Sequence, residues 1–245
     1  MMTWYTQEQF SVRLEWGIEA VEQLAEMADC IIIVDVMSFS TCISLALDNG
    51  AQVYPYPWKD ESAIAYGNER GAHIASTERR LTGNGYSLSP SSLKNIEQGA
   101  RLVLPSPNGS AISFRAKETA AAVFSGCFRN MAATARACRH FKRILVVPCG
   151  ERWPNGALRP AVEDLAAAGG IISYLTDRTW SPEAQVAVSA YHHHSLLGIS
   201  GLGECTSALE LTERGFAEDV RLCLSLNVSE LACRLSQEAY IAQCD

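Results

Sequence analysis

The chain has 245 residues, of which 48% are hydrophobic and 19% charged, a balance typical of folded globular proteins and not of disordered chains. Its 20 Lys and Arg residues against 27 Asp and Glu residues give a net charge of -7, and no basic cluster stands out, which argues against a nucleic-acid partner. Because no signal-peptide pattern opens the chain and no apolar run approaches roughly 20 residues, we expect a cytoplasmic protein without a membrane partner, whose nine cysteines are reduced thiols.

Short β-branched runs alternate with longer Ala- and Leu-rich stretches along the chain. The predicted strands are 31–34, 52–56, 101–104, 121–124 and 143–147. The predicted helices between them are 41–49, 60–70, 110–116, 131–141 and 162–175; beyond Pro182 the pattern is largely helical, over 183–197, 206–213 and 217–224. This alternation predicts an α/β fold, a mainly parallel or mixed sheet flanked by helices in three α/β/α layers, with a helical C-terminal part.

We expect one α/β unit over residues 1–245. The alternative is two closely packed α/β lobes with a boundary somewhere in 118–145. The most loop-like stretch is 76–92, which is rich in Gly, Ser and Pro. It is either a linker or a functional loop, and long excursions inside compact domains are more often functional.

Chemically versatile residues follow three of the predicted strands, whose carboxyl ends would face one crevice. The first such segment contains Asp35 and the hydroxyls of Ser38, Ser40 and Thr41. These hydroxyls can cap the next helix, whose free backbone N–H groups form a ready anion site. Plain helix capping beside a solvated Asp35 explains the same pattern equally well.

The second segment contains Ser106, Asn108 and Gly109, and the third contains Cys149 and Gly150. Gly109 lets the backbone turn and approach a ligand closely, although a simple turn gives the same pattern. The Cys149 thiol is either a low-pKa nucleophile near a helix N-terminus or a small residue that lets the crevice close. No His partner is placed beside it by the sequence.

Three further charged residues are candidates for the same crevice. Glu163 and Asp164 begin a helix, where carboxylates favour the positive end of the dipole; alternatively, one of them joins Asp35 around a hard cation. Mg²⁺ suits that role because it binds through one or two carboxylates plus a substrate phosphate. Arg70 ends a helical stretch and is either a partner of the helix dipole or an anion ligand reaching into the crevice.

Taken in order along nearly the whole chain, these segments resemble the 2-phosphosulfolactate phosphatase family. Residues 35–41 are similar to the family's Asp-Val-Leu-Arg-Ala-Thr-Thr segment, residues 67–71 to its Gly-Glu-Arg element, and residues 85–90 to its Gly-Asn-Ser-Pro loop. Residues 106–110 are similar to its Thr-Asn-Gly-Thr turn, and Gly126 with Asn130 to its turn that begins Gly-Ser and ends with Asn. Residues 149–150 with 159–164 match its Cys-Ala-Gly and Glu-Asp stretch, and residues 215–220 with Cys223 resemble its last motif.

The resemblance implies an α/β magnesium-dependent phosphatase that removes phosphate from 2-phosphosulfolactate, a small anionic phosphate ester. Ser38 stands where the family commonly has Arg, and a Ser cannot replace the planar guanidinium fork, so we expect Arg70, Arg152 or Arg159 to supply the charge. The alternatives are a phosphatase of the same fold acting on another small phosphorylated acid, and a non-catalytic protein that binds an anionic metabolite.

The resulting hypothesis places Asp35, with Glu163 or Asp164, around Mg²⁺ against the substrate phosphate. Backbone N–H groups after Asp35 and around Asn108 would hold the phosphate oxygens, and Arg159 would orient the substrate. Metal-bound water, Asp35 and Cys149 all remain candidate nucleophiles. The substrate-binding residues expected are Ser38, Ser40, Thr41, Arg70, Ser106, Asn108, Gly109 and Gly150. We also expect a homo-oligomer, most simply a dimer.

Overall fold

The computed structural model of the chain describes residues 4–58, 60–76, 78–81 and 85–243. Eleven strands lie in these ranges: β1 (Val12–Leu14), β2 (Cys30–Val34), β3 (Gln52–Tyr56), β4 (His73–Ile74), β5 (Arg101–Pro105), β6 (Ala122–Gly126), β7 (Ile144–Pro148), β8 (Glu151–Arg152), β9 (Leu158–Arg159), β10 (Ala232–Ser236) and β11 (Ala239–Gln243). The same ranges contain nine α-helices: α1 (Gly17–Leu24), α2 (Phe39–Asp48), α3 (Ser62–Glu69), α4 (Gly109–Ala116), α5 (Met131–Cys138), α6 (Val162–Ser173), α7 (Pro182–Leu197), α8 (Thr206–Glu213) and α9 (Ala217–Cys223).

Nine of these strands form one mixed sheet in the order β1-β7-β2-β6-β10-β11-β3-β5-β4. Parallel pairing joins β1, β7, β2 and β6 on one side, and β3, β5 and β4 on the other. The antiparallel hairpin β10–β11 connects the two parallel groups by pairing with β6 and β3. The sheet confirms the predicted α/β fold, while the possible lobe boundary in 118–145 stays a prediction.

Side chains of the central strand β2 alternate between two hydrophobic cores, because successive residues of a strand point to opposite faces. Ile31 and Ile33 pack with α1, α2 and α4 on one face of the sheet. Ile32 and Val34 pack with α5, α6 and α7 on the other face. All four side chains are completely buried. The continuous apolar run is therefore that of a strand covered on both faces, and the predicted three-layer arrangement is confirmed.

The last part of the chain is only partly as predicted. The helices α7, α8 and α9 lie where the sequence places them, but residues 232–243 form the β10–β11 hairpin instead of continuing the helical pattern. Its turn contains none of the Gly, Asn or Asp residues that usually mark a two-residue hairpin; Gln237 instead adopts a positive φ of 57°. The sequence pattern also does not predict the strands β1, β4, β8 and β9, because two or three residues carry no measurable periodicity.

None of the helices in the described ranges has both the length and the apolar character that crossing a bilayer requires. The eight cysteines in those ranges are free thiols, and Cys244 lies outside them. All but Cys205 are buried, which suits thiols that pack as small hydrophobes.

Candidate active site

The segments that follow β2, β5 and β7 meet at one edge of the sheet. Although β5 is not a neighbour of β2, Gly109 at the start of α4 donates its backbone N–H to Asp35 Oδ2 at 2.9 Å. Asn108 Nδ2 donates to Glu151 Oε2, also at 2.9 Å, which links the second segment to the third. The residues around these contacts enclose a cavity of about 150 Å³, here called the central cavity, with Ser106 also on its wall.

The Asp35 carboxylate is buried beside the central cavity and accepts two backbone hydrogen bonds. Its Oδ1 accepts from Phe39 N–H at 3.2 Å, so Asp35 caps α2 in place of the hydroxyls predicted to do so. Burial raises the pKa of Asp35 to about 6, while the N–H groups of Gly109 and Phe39 oppose that rise. A side chain at position 109 would approach Phe39 Cδ1 to 2.2 Å and Asp35 Oδ2 to 2.7 Å, so this turn requires glycine.

The hydroxyls expected to bind substrate fall into two groups. Ser38 and Ser106 line the central cavity. Ser40 Oγ instead accepts from Asp35 N–H at 3.0 Å, and Thr41 Oγ1 donates to a carbonyl oxygen of the same turn at 2.9 Å. The structure therefore does not bring Ser40 and Thr41 to the cavity; they stabilise the turn that positions Asp35.

The Cys149 thiol lies in an environment that disfavours its ionised form. Burial raises the pKa of Cys149 well above its usual value, and the charges of Asp35, Asp164 and Glu151 raise it further. Reactive thiolates occur in electropositive, partly exposed surroundings, which is the opposite situation. The structure thus favours the second interpretation of Cys149, a small residue that lets the crevice close.

Glu163 and Asp164, at the start of α6, are both buried but differ in their partners. Asp164 Oδ1 accepts from Val36 N–H at 2.7 Å and its Oδ2 accepts from Gly150 N–H at 2.9 Å, which ties the ends of β2 and β7 together. Glu163 Oε2 accepts a weak hydrogen bond from the Cys205 thiol at 3.3 Å. The backbone N–H groups expected to bind phosphate therefore donate to the carboxylates of Asp164 and Asp35 instead. The Glu163 carboxylate accepts only the weak bond from Cys205 among the described residues, so its oxygens can still bind a ligand.

The carboxyl groups around the cavity repel one another. Burial raises the pKa of Glu151 to about 7, with the charges of Asp35 and Glu163 adding to the rise. Burial also raises the pKa of Asp164 well above its ordinary value, and Glu163 and Asp35 reinforce the effect. In the described ranges no three His, Cys, Asp or Glu side chains form a complete set of metal ligands. An oxygen-only donor set with excess negative charge nevertheless fits Mg²⁺, which keeps several waters and takes few protein ligands.

Arg79, which no sequence pattern indicates as a site residue, lines the cavity. Arg79 Nη1 donates to Ser38 Oγ at 3.0 Å and to Asp219 Oδ2 at 3.2 Å. Asp219 is completely buried and also accepts from Ser89 Oγ at 2.6 Å. Asp219 thereby attaches the described part of the loop 76–92 to α9, which makes this loop a structural part of the site.

The three arginines expected to compensate for Ser38 lie outside the cavity wall, although Arg159 is paired with Glu151 across the β8–β9 hairpin. Arg70 Nε donates to Glu238 Oε2 at 2.8 Å, and Arg70 Nη2 lies 2.7 Å from the same oxygen in an ion pair. The first residue of β5 donates to the Arg70 carbonyl oxygen. Arg70 thus lies at the amino ends of the strands, away from the cavity. The Arg159 guanidinium lies 5.8 Å from the centre of the Trp153 ring, and Arg152 bonds within the β8–β9 hairpin. None of the three lines the central cavity.

Known proteins resemble this chain over most of its length. Residues 18–238 match the family described as 2-phosphosulpholactate phosphatase. The chain is 24% identical over 229 residues to a probable 2-phosphosulfolactate phosphatase of Pseudothermotoga lettingae, covering 91% of this chain and 96% of that protein. It is 24% identical over 216 residues to a probable 2-phosphosulfolactate phosphatase of Caldanaerobacter subterraneus subsp. tengcongensis, covering 84% of this chain and 87% of that protein. The family match includes every residue described above for the central cavity.

Proposed function

Since this chain belongs to the 2-phosphosulpholactate phosphatase family, we propose that it hydrolyses 2-phosphosulfolactate to sulfolactate and inorganic phosphate, with Mg²⁺ as cofactor. It is a phosphoric monoester hydrolase. The observation that carries the proposal is one cavity whose wall combines the carboxyl groups of Asp35 and Glu151 with the Arg79 guanidinium. Carboxylates suit a hard metal ion and proton transfer, and a guanidinium matches phosphate oxygens in pairs.

Asp35, on the cavity wall, and Glu163, which does not line the central cavity but whose charge acts on Asp35, are the residues that would hold Mg²⁺. When bound, the ion neutralises the phosphate charge and polarises the phosphorus–oxygen bonds. The N–H groups of Phe39 and Gly109 fix the Asp35 carboxylate in one orientation, so that it is ready for a ligand without rearrangement. Asp164 has a supporting role, because, unlike Asp35, it does not line the central cavity and its two oxygens hold the strand ends in register.

Arg79 binds the phosphate oxygens in this proposal. Its hydrogen bonds within the described residues are made by Nη1, which leaves the Nε and Nη2 donors for a ligand. The ion pair with Asp219 and the bond to Ser38 restrict the side chain, so less conformational entropy is lost when phosphate binds. Arg79 thus provides the guanidinium that Ser38 cannot.

Glu151 delivers a proton to the leaving oxygen. With its pKa raised to about 7, this carboxyl is protonated in a large part of the molecules at neutral pH, unlike an ordinary glutamate. Asn108 Nδ2 donates to Oε2, so the proton resides on Oε1. As the oxygen of a water molecule forms its bond to phosphorus and the bond to the ester oxygen breaks, the Glu151 proton passes to that ester oxygen, which leaves as the alcohol of sulfolactate. The proton released by the attacking water restores the Glu151 carboxyl group.

Release of inorganic phosphate from 2-phosphosulfolactate tests the proposal. We expect release with Mg²⁺, loss of release in EDTA, and recovery when Mg²⁺ is restored. Asp35→Asn is expected to lower kcat by about 100-fold or more, whereas the matched variant Asp177→Asn, at an exposed loop position, keeps the wild-type rate. Wild-type turnover of Asp35→Asn would contradict the assigned role. Hydrolysis of other small phosphomonoesters but not of 2-phosphosulfolactate would refute the substrate.

A further inference from the structure

The wall of the central cavity that α8 contributes carries a buried hydroxyl with an unused hydrogen-bonding capacity. Ser207, in the first turn of α8, is 4% exposed and lines the cavity. Among the described residues its Oγ has no hydrogen-bond partner. A buried polar group without a partner destabilises the fold, so this position is explained if a bound molecule supplies the missing acceptor.

Cys205 connects the α8 wall to the acidic residues of the site. It is the N-cap residue of α8, and its thiol donates to Glu163 Oε2 at 3.3 Å. The Cys205 side chain makes no capping hydrogen bond, so the N–H groups at this helix end keep their positive potential. Ser207 therefore lies at an end of α8 that favours an anion, in the same cavity as the carboxyl groups of Asp35 and Glu151, here called the acidic wall.

A second arginine lies on this wall. Arg214 follows the last residue of α8 and lines the central cavity, as does Glu210, one turn earlier. Arg214 Nη1 donates to Glu210 Oε1 at 2.9 Å, and both side chains are more than half exposed. Exposed pairs of this kind are weak, so the Arg214 guanidinium remains able to turn a donor toward a ligand.

We propose that Ser207 and Arg214 form the subsite for a second anion of the substrate, its sulfonate group, apart from the phosphate bound beside Asp35 and Arg79. The inference rests on the proposed function. A sulfonate carries three acceptor oxygens and a permanent charge, and it is a poor metal ligand, so hydroxyl and guanidinium donors suit it better than the acidic wall does. The cavity then separates its two tasks: one wall performs the chemistry on phosphate, and the other selects the acid that carries it.

Two substrates that differ only in the sulfonate test this assignment. We expect the wild type to prefer 2-phosphosulfolactate over 2-phospholactate in kcat/KM. Ser207→Ala and Arg214→Gln are each expected to reduce that preference about tenfold, mainly through KM for the sulfonated ester, because each removes one hydrogen bond to a charged group. The matched control Ser189→Ala alters an exposed hydroxyl of α7 and keeps the preference.

Binding of the product provides a readout that does not depend on turnover. Calorimetric titration with sulfolactate should give a Kd about tenfold weaker for Arg214→Gln than for the wild type, with lactate bound more weakly by both. Arg214 is exposed, so this variant is informative even if Ser207→Ala is poorly folded. If the wild type does not hydrolyse 2-phosphosulfolactate, the proposed function fails and the subsite with it. If it does, but neither variant changes the preference or the Kd, only the sulfonate subsite is overturned.

Discussion

Replacement of Glu151 by Gln tests whether the site holds a carboxyl group that resists ionisation. Burial raises the pKa of Glu151 from 4.5 to about 7, and the charges of Asp35 and Glu163 contribute to the rise. A carboxyl group with a higher pKa in the folded state keeps its proton better there than in the unfolded chain. The folded state therefore loses stability as the pH rises from 4.5 to about 7, and the full penalty is present above that range. The difference between the two pKa values corresponds to about 3 kcal/mol, as an upper bound.

Glu151→Gln preserves the shape of the side chain, and its amide oxygen can still accept from Asn108. In urea unfolding with EDTA present, we expect the variant to exceed the wild type in free energy of unfolding by up to about 3 kcal/mol at pH 8, and to equal it near pH 4.5. Glu213→Gln, at the exposed end of α8, is the control, with an expected change below about 0.5 kcal/mol. Equal stabilities of Glu151→Gln and the wild type at pH 8 would refute the reasoning.

The same substitution removes the proton donor. We expect kcat for phosphate release to fall about 10²- to 10⁴-fold, and the alkaline decline of the wild-type rate near pH 7 to disappear from the residual activity. The pH profiles of kcat are measured from pH 5 to 9 with saturating substrate. A Glu151→Gln enzyme that is stabilised but fully active would show that Glu151 is a partly buried carboxyl group without a part in proton transfer.

Three other substitutions test separate parts of the site. Arg79→Ala removes a phosphate ligand, so KM should rise at least about tenfold; an unchanged KM would exclude Arg79 from substrate binding. The substitution also leaves Asp219 buried without its ion pair, so the free energy of unfolding should fall by about 3 kcal/mol. Cys149→Ala should keep at least about a third of the phosphatase activity, and a loss above about 100-fold would restore the thiol as a nucleophile. Gly109→Ala forces Phe39 and the Asp35 carboxylate to move, so kcat should fall about 100-fold in protein whose circular dichroism is native; full activity would contradict the close approach.

The strands of the parallel groups could be predicted because they are short apolar runs that are buried on both sides. Ile31, Ile32 and Ile33 illustrate this, since they face two cores in turn. The β10–β11 hairpin could not be predicted in the same way. Its first strand contains no β-branched residue, its turn contains no Gly, and its pairing with β3 and β6 joins segments that lie far apart in the chain.

The site residues that directly follow parallel strands could be predicted from the sequence. Asp35 and Asn108 follow strands, and parallel strands end at a common edge. Arg79 could not be identified, because the sequence contains the Glu-Arg pair four times, at 69–70, 78–79, 151–152 and 213–214. Only the folded chain shows that Arg79 and Arg214 line the cavity, whereas Arg70 and Arg152 do not; Arg79 is held there by Asp219, 140 positions away.

The two walls of the central cavity thus depend on different parts of the chain. The groups assigned to the chemistry are positioned by the sheet, through strand ends that Asp164 holds together. The groups assigned to anion recognition come from the described part of the loop 76–92 and from α8 and the residue after it. Asp219 of α9 holds the loop through Ser89, and Cys205 connects α8 to Glu163. Loops and peripheral helices tolerate substitution far better than buried strand ends do. In the proposed mechanism, substitutions at Arg79 or Arg214 therefore alter anion binding, while the strand ends that position Asp35 stay in place.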